Sequence, residues 1–147
     1  MGKLSGQFYP NVKTCEEMEK NKDIEGLIKN LKHKNLNIRR RAAGALGRLG
    51  DSRAVEPLIG ILTDTGIVLE KDSLYLQGDV AKALGEIGDE RAVKALESST
   101  DRSYSTIAGG FSSLEEAARQ AAESKRRIDY FKEAAKEALE KIKTKKK

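Results

Sequence analysis

Two stretches of this chain carry almost the same sequence at a constant offset of 38 residues. Residues 38–62 read IRRRAAGALGRLGDSRAVEPLIGIL, and residues 76–100 read LQGDVAKALGEIGDERAVKALESST. Both contain the string ALG-x-[LI]-GD-x-RAV. A repeat of this length is typical of a solenoid, in which each unit buries its apolar face only by stacking on its neighbours. The repeat therefore predicts a stacked architecture and favours binding over catalysis.

Helical patterns account for both copies and for the sequence around them. Apolar residues at helical spacing predict helices at 38–49 and 73–87, each ended by a glycine, Gly50 or Gly88. Asp51 and Asp89 then cap shorter helices at 52–62 and 90–98. Pro57 lies inside the first of these, so we expect a bend or a late helix start there. Further helices are predicted at 15–20, from Asp23 to Leu31, and at 114–143.

The fold class predicted from these patterns is all-α, a short α-solenoid of antiparallel helix pairs with about three units. In each unit a short helix A precedes a longer helix B, and B carries the ALG segment in the two clear copies. The end of the last helix, AAKEALEKI, repeats the B pattern of the second copy at an offset of 55 residues. We expect a flexible arm at 1–13, one domain at 14–143 with repeats at about 23–50, 51–88 and 89–143, and a basic tail at 144–147.

Composition limits the cellular compartments in which such a chain is expected to act. Aromatic residues make up 5% and Trp is absent, so the core must be aliphatic. The formal net charge is +5, and five lysines between Lys141 and Lys147 account for it, so the body is close to neutral. The single cysteine allows no internal disulfide, and no apolar run is long enough to cross a bilayer. We therefore predict a cytoplasmic protein with no membrane partner.

The segments IRRRAAGALGRLGDSRAVEPL and DVAKALGEIGDERAV resemble the HEAT-like repeats of the phycobilisome-lyase type. The preceding DIEGLIKNLKHKN is similar to the first helix and turn of such proteins. The resemblance implies a stack of helical hairpins whose B helices line a concave side that binds partners. It implies no single activity, because the family includes scaffolds, bilin-attachment factors and one metal enzyme, deoxyhypusine hydroxylase.

Candidate catalytic chemistry is scarce. His33 is the only histidine and is predicted in a surface turn, so the paired His-Glu ligands of a di-iron hydroxylase are missing. Cys15 begins a helix, which lowers a thiol pKa, but Glu16 and Glu17 oppose that effect and no histidine is near in sequence. We therefore expect no catalytic residues, no metal and no cofactor.

Charged residues on the B helices are the candidates for a binding surface. With the apolar stripe inward, Arg40, Gly44 and Gly47 are predicted to point outward, as are Lys82 and Gly85 in the next unit. Arg40, Gly44 and Lys82 are predicted to contact a protein partner, one with an acidic surface. Tyr104 and Phe111, in the irregular Gly-rich segment 99–112, complete the predicted partner-binding set.

The remaining arginines of the repeat are predicted to have structural roles. Arg41 and Arg48 match Asp79 and Glu86 of the next unit in position, which predicts ion pairs between repeats. Arg53 and its counterpart Arg91 each follow a capping aspartate, and we expect each to pair with a carboxylate or a helix-end carbonyl of the adjacent unit.

The sequence therefore favours a non-enzymatic protein–protein interaction module, or scaffold, that uses the B helices and two insertion loops, 63–72 and 99–112. Two alternatives stay open. One is an accessory factor similar to bilin lyases or to other chaperone-like enzyme partners. The other is a weak nucleic-acid binder that uses the basic tail, together with the basic run Lys125, Arg126 and Arg127. These basic residues have no aromatic residues between them to stack on bases.

Overall fold

The computed structural model describes residues 14–64, 73–101 and 113–145. These residues contain α-helices and one 3-10 turn, and no strand occurs among them. The helices are α1 (Cys15–Lys20), α2 (Ile24–Asn30), α3 (Leu36–Leu49), α4 (Val55–Thr63), α5 (Ser73–Ile87), α6 (Arg91–Thr100) and α7 (Leu114–Lys145). The predicted all-α, solenoid-like fold is confirmed.

The helices form two rows. The most extensive packing joins α3 to α5 and α5 to α7, while α4 packs on α6 in the other row. Helix α1 packs on both α2 and α3. We call α1, α3, α5 and α7 the B row, and α2, α4 and α6 the A row. Helix α1 thus takes the position of a short B helix ahead of the first complete pair.

The core between the two rows is aliphatic, as the composition predicts. Leu27, Leu46, Leu58 and Leu84 are among the side chains with no exposed surface. Phe131 on α7 is the largest fully buried side chain of the described residues. The second half of α7 therefore belongs to the same core, whereas Leu114 at its start is 90% exposed.

The helix ends follow the capping signals of the sequence. Gly50 and Gly88 end α3 and α5 with φ values of 67° and 74°, a left-handed conformation in which a side chain is strained. The predicted capping box is present at Thr14, whose hydroxyl and backbone N–H both bond to Glu17. Before Pro57 the chain forms a 3-10 turn at Ser52–Ala54, and α4 begins only at Val55, so the expected late start is confirmed.

Close helix approach explains the glycine that each clear copy carries in its ALG string. A Cβ atom added to Gly47 would lie 2.7 Å from Cα of Ala83, and one added to Gly85 would lie 2.7 Å from Cα of Ala138. Both glycines are buried, so the prediction that they point outward is wrong. They face the next B helix, where only a residue without a side chain fits.

The arginines of the RAV segment connect neighbouring units, as predicted. Arg91 forms a two-pronged ion pair with Asp89, whose carboxylate also accepts a hydrogen bond from the backbone N–H of Arg91. Its guanidinium also donates to the backbone carbonyl of Ser52 at 3.3 Å and lies 3.5 Å from the carboxylate of Glu56, both in the preceding unit. Arg53 pairs with Asp51 in the same way and lies 3.9 Å from Glu25.

Because of these ion pairs, the free energy of unfolding is expected to decrease at acid pH. The hydrogen bonds from Arg53 and Arg91 hold the pKa of Asp51 and of Asp89 below the ordinary value of 3.8. Because the unfolded chain then binds protons more readily, stability is fully present above about pH 5 and falls as the pH drops through the folded-state pKa values. Thermal unfolding measured between neutral pH and about pH 3 should show this decline.

The double variant Asp51→Asn/Asp89→Asn isolates the cause, because asparagine still caps a helix but carries no charge. We expect its melting temperature to fall less steeply with acid than that of the native chain. Glu97→Gln, an exposed carboxylate on α6, serves as the control and should keep the native slope. An unchanged slope in the double variant would contradict the assignment.

Candidate functional site

A polar groove lies on the exposed face of the B row and runs over α3. It encloses about 560 Å³. Gly44 and Ala45 form part of its lining on α3, with α1 on one side and Asp79 of α5 on the other. An added Cβ at Gly44 would approach only Arg48 Nη1, at 3.3 Å. The missing side chain at Gly44 therefore leaves the groove open. We call this feature the α3 groove.

Three arginines of α3 line the α3 groove, namely Arg40, Arg41 and Arg48. Arg48 makes a two-pronged contact with Glu19 of α1, with Nε and Nη2 donating at 2.7 and 2.8 Å. This contact lowers the pKa of Glu19 below its ordinary value. Arg41 Nη1 lies 3.5 Å from Glu16 Oε1, also on α1. Both arginine side chains remain more than half exposed.

The predicted ion pairs of Arg41 with Asp79 and of Arg48 with Glu86 are not formed. The hydrogen bond to Glu19 raises the pKa of Arg48 most, and Glu86 adds a smaller attraction from the next unit. Arg41 and Arg48 pair with the preceding helix of the B row, because α1 lies beside α3 where the sequence showed no repeat. Arg40 pairs with Asp79, since its Nε donates to Asp79 Oδ2 at 2.6 Å. Arg40 is therefore not an unpaired cation. Its side chain is 37% exposed and that of Asp79 is 19% exposed.

The two-row stack with glycine-mediated contacts between B helices agrees with the comparison of the sequence with protein families. A model of HEAT repeats matches residues 24–115. The chain belongs to the HEAT-repeat family. None of the curated proteins compared with it matches. The matched family is that of HEAT repeats in general.

Two tyrosines extend the polar surface of this HEAT-repeat chain from α3 towards α7. Tyr130 of α7 donates from its hydroxyl to Asp79 Oδ1 at 2.6 Å, so both oxygens of Asp79 are engaged. Its ring centroid lies 5.5 Å from that of Tyr75, with the planes tilted by 58°. Arg40 lies 5.5 Å above the ring of Tyr75. Burial and the bond to Asp79 raise the pKa of Tyr130.

Lys82 completes this arrangement, which we call the tyrosine cluster (Arg40, Tyr75, Asp79, Lys82 and Tyr130). Its ammonium donates to the Tyr130 hydroxyl at 3.1 Å and lies 4.5 Å from the centroid of the same ring. The hydrogen bond to Tyr130 raises the pKa of Lys82, so the ammonium is charged at neutral pH. With Arg40 and Lys82 against Asp79, the tyrosine cluster carries one net positive charge.

The structure brings together three of the predicted partner-binding residues. Arg40 and Gly44 line the α3 groove, and Arg40 and Lys82 belong to the adjoining tyrosine cluster. Tyr104 and Phe111 lie outside the described residues. Whether any of these residues contacts a partner stays a prediction.

Sequence reasoning missed Tyr75, Tyr130 and the pairing role of Asp79. One signal was present, since Gly78 stands in the second copy where the first has Arg40. The ring of Tyr130 lies where a Cβ of Gly78 would be. A glycine that departs from the repeat therefore marked the close approach of a side chain from the next helix.

The described residues offer little for chemistry. No group of three or more His, Cys, Asp or Glu side chains among them is placed to hold a metal ion. Cys15 is buried, with its thiol directed at the carbonyl of Ile38. Within the same residues, no helix has both the length and the apolar character that a bilayer crossing requires.

Proposed function

We propose that this chain is a non-enzymatic protein–protein interaction module that binds a protein partner on the exposed face of its B row. HEAT repeats are commonly protein-interaction scaffolds, and the surfaces of stacked repeats suit extended contacts. The observation that carries the proposal is the continuity of the α3 groove with the tyrosine cluster, since Asp79 belongs to both. The cytoplasmic location expected from the sequence is part of the proposal.

The chemistry of this surface supports a protein as the partner. Tyrosine and arginine are enriched among the residues that contribute most to protein interfaces. Here the rings of Tyr75 and Tyr130 pack on each other and the Tyr130 hydroxyl is hydrogen-bonded to Asp79, so little side-chain freedom is lost on binding. The net positive charge of the tyrosine cluster favours an acidic patch on the partner.

The alternatives receive less support. Lys145 of the basic tail donates to the carbonyl of Ile87 at 2.9 Å, so it caps the end of α5. Arg127 pairs with Glu123 at 2.6 Å and its side chain is 13% exposed. Both cations therefore have structural contacts, which weakens the hypothesis that the chain binds nucleic acid. The accessory role similar to that of bilin lyases rests on the sequence resemblance alone.

Site-specific photocross-linking tests the proposed face. We expect a photoreactive amino acid in place of Gly44 to cross-link a protein of native lysate, identified by mass spectrometry. Gly60 offers a matched control, because it is an exposed glycine of α4 in the A row and an added Cβ there meets nothing within 4 Å. The same substitution at Gly60 should give no such product.

Cross-links of equal yield from both positions would contradict the choice of face. Charge reversal at Arg40 is less informative than the sequence suggested, since a glutamate there would face Asp79 and destabilise the fold. Gly44 avoids this problem because a Cβ added there would approach a single side-chain atom, Arg48 Nη1, at 3.3 Å.

A further inference from the structure

We infer that the face of α3 on which α1 packs recognises an acidic amphipathic helix, and that α1 is an internal competitor for that helix. This inference rests on the proposed function and adds a partner class and a means of regulation. Helix α1 (Cys15–Lys20) already lies beside α3 and engages, through carboxylates, two of the three arginines that line the α3 groove. This face of α3 therefore shows, within the chain itself, the type of ligand that it accepts.

The pattern of α1 defines the partner. Its apolar side chains, Cys15 and Met18, are three residues apart and pack against the core. Glu16 and Glu19 follow each of them by one residue and contact Arg41 and Arg48. Residues three apart share a helix face, so one edge of α1 is apolar and the adjoining edge is acidic. A partner helix with the same pattern would place apolar side chains against the core and carboxylates beside Arg41 and Arg48.

The contacts that hold α1 are weak enough for displacement. An isolated helix of six residues is far below the length that is stable in water, so α1 depends on its packing. Cys15 is its only buried residue. The Arg41–Glu16 pair is largely exposed and contributes little to stability, whereas the two-pronged Arg48–Glu19 pair is the stronger of the two. A longer acidic helix that makes the same contacts can therefore replace α1.

A longer helix also gains contacts that α1 does not make. Helix α1 ends at Lys20, and none of its ion pairs involves the tyrosine cluster on α5 and α7. Lys82 there is exposed and its ammonium bonds to a hydroxyl rather than a carboxylate. Additional carboxylates of a partner can reach this cation once the helix extends beyond the length of α1. The positive charge of Lys82 thus favours a longer acidic partner helix over α1.

The test uses two stapled, fluorescein-labelled helical peptides of about 14 residues. One carries Leu at positions three and four apart with Glu after each, and the other has Gln in place of every Glu. We expect the full-length chain to bind the Glu peptide, and the variant Glu16→Gln/Glu19→Gln to bind it about fivefold to tenfold more tightly because the competing carboxylates are gone.

Glu17→Gln is the matched control, because Glu17 lies on the same helix but bonds to the backbone N–H of Thr14. Glutamine preserves that capping box, so the control should bind the Glu peptide with native affinity. Arg48→Gln releases α1 but removes a recognition group. It should bind the Glu peptide more weakly than the native chain, which separates recognition from general loosening of the fold.

Cys15 reports the displacement of α1 directly, since it is the only cysteine of the chain and is buried. We expect saturating Glu peptide to raise the rate of its reaction with Ellman's reagent by about tenfold or more, through opening of α1. The Gln peptide should leave that rate unchanged.

Three results would overturn the inference: no binding of the Glu peptide, equal affinity for both peptides, or equal affinity of the double variant and Glu17→Gln. An unchanged rate at Cys15 with bound Glu peptide would remove the competitor role. None of these affects the proposed function, which fails separately if a photoreactive group at Gly44 captures no more than one at Gly60.

Discussion

Replacing Phe131 with alanine is expected to lower the free energy of unfolding by about 3–5 kcal/mol, the range typical of a large buried side chain. Phe131 has no exposed surface and is the largest fully buried side chain of the described residues. It lies on the half of α7 that packs against α5, so the cavity would open between the last two helices of the B row. Urea unfolding monitored by circular dichroism measures the effect.

Lys132→Ala is the control, because Lys132 is the next residue on α7 and is exposed. It should change the free energy of unfolding by no more than about 0.5 kcal/mol. If Phe131→Ala were as mild as the control, α7 would not be an integral part of the core. The stack would then consist of the two clear repeats alone.

The buried position of Phe131 shows how much of the third unit can be predicted from the sequence. At the offset of 55 residues that relates AAKEALEKI to the second copy, Phe131 corresponds to Leu76, which is also fully buried. Apolar periodicity survives because every B helix needs a buried stripe. The glycine does not survive, since position 140 is an exposed Glu140 where the second copy has Gly85. Among the described residues no further B helix packs on α7, so close approach is not required there.

The binding face was harder to predict because its contacts are made between repeats. Periodicity identifies which side of α3 is exposed, and it predicts Gly44 and Arg40 on that side. It does not identify which helix lies beside that side. The partners of Arg41 and Arg48 are on α1, which has no match in the repeat, and Tyr130 reaches Asp79 across 51 positions of sequence. Such contacts depend on the stacking of units, which a single repeat does not encode.

Replacing glycines of the B row with alanine should change the stability of the chain in opposite directions, depending on the position. Gly47→Ala and Gly85→Ala are each expected to lower the free energy of unfolding by about 1–3 kcal/mol, because the added methyl group would lie 2.7 Å from a backbone Cα of the next helix. Backbone atoms cannot move aside without shifting the helix. The spacing of α3 to α5, or of α5 to α7, would have to increase.

Gly44→Ala is the internal control, since Gly44 lies on α3 only three residues before Gly47. There the added methyl group meets one side-chain atom, Arg48 Nη1 at 3.3 Å, which has to move by only a few tenths of an ångström, and alanine favours a helix over glycine by up to about 1 kcal/mol. The variant should therefore be more stable than the native chain. Measured by urea unfolding, losses at Gly47 and Gly85 with a gain at Gly44 would separate the packing glycines of the stack from the glycine that keeps the groove open. Greater stability of all three variants would mean that helix propensity alone determines the effect of alanine. The B helices would then not be held at the close distance on which the α3 groove depends.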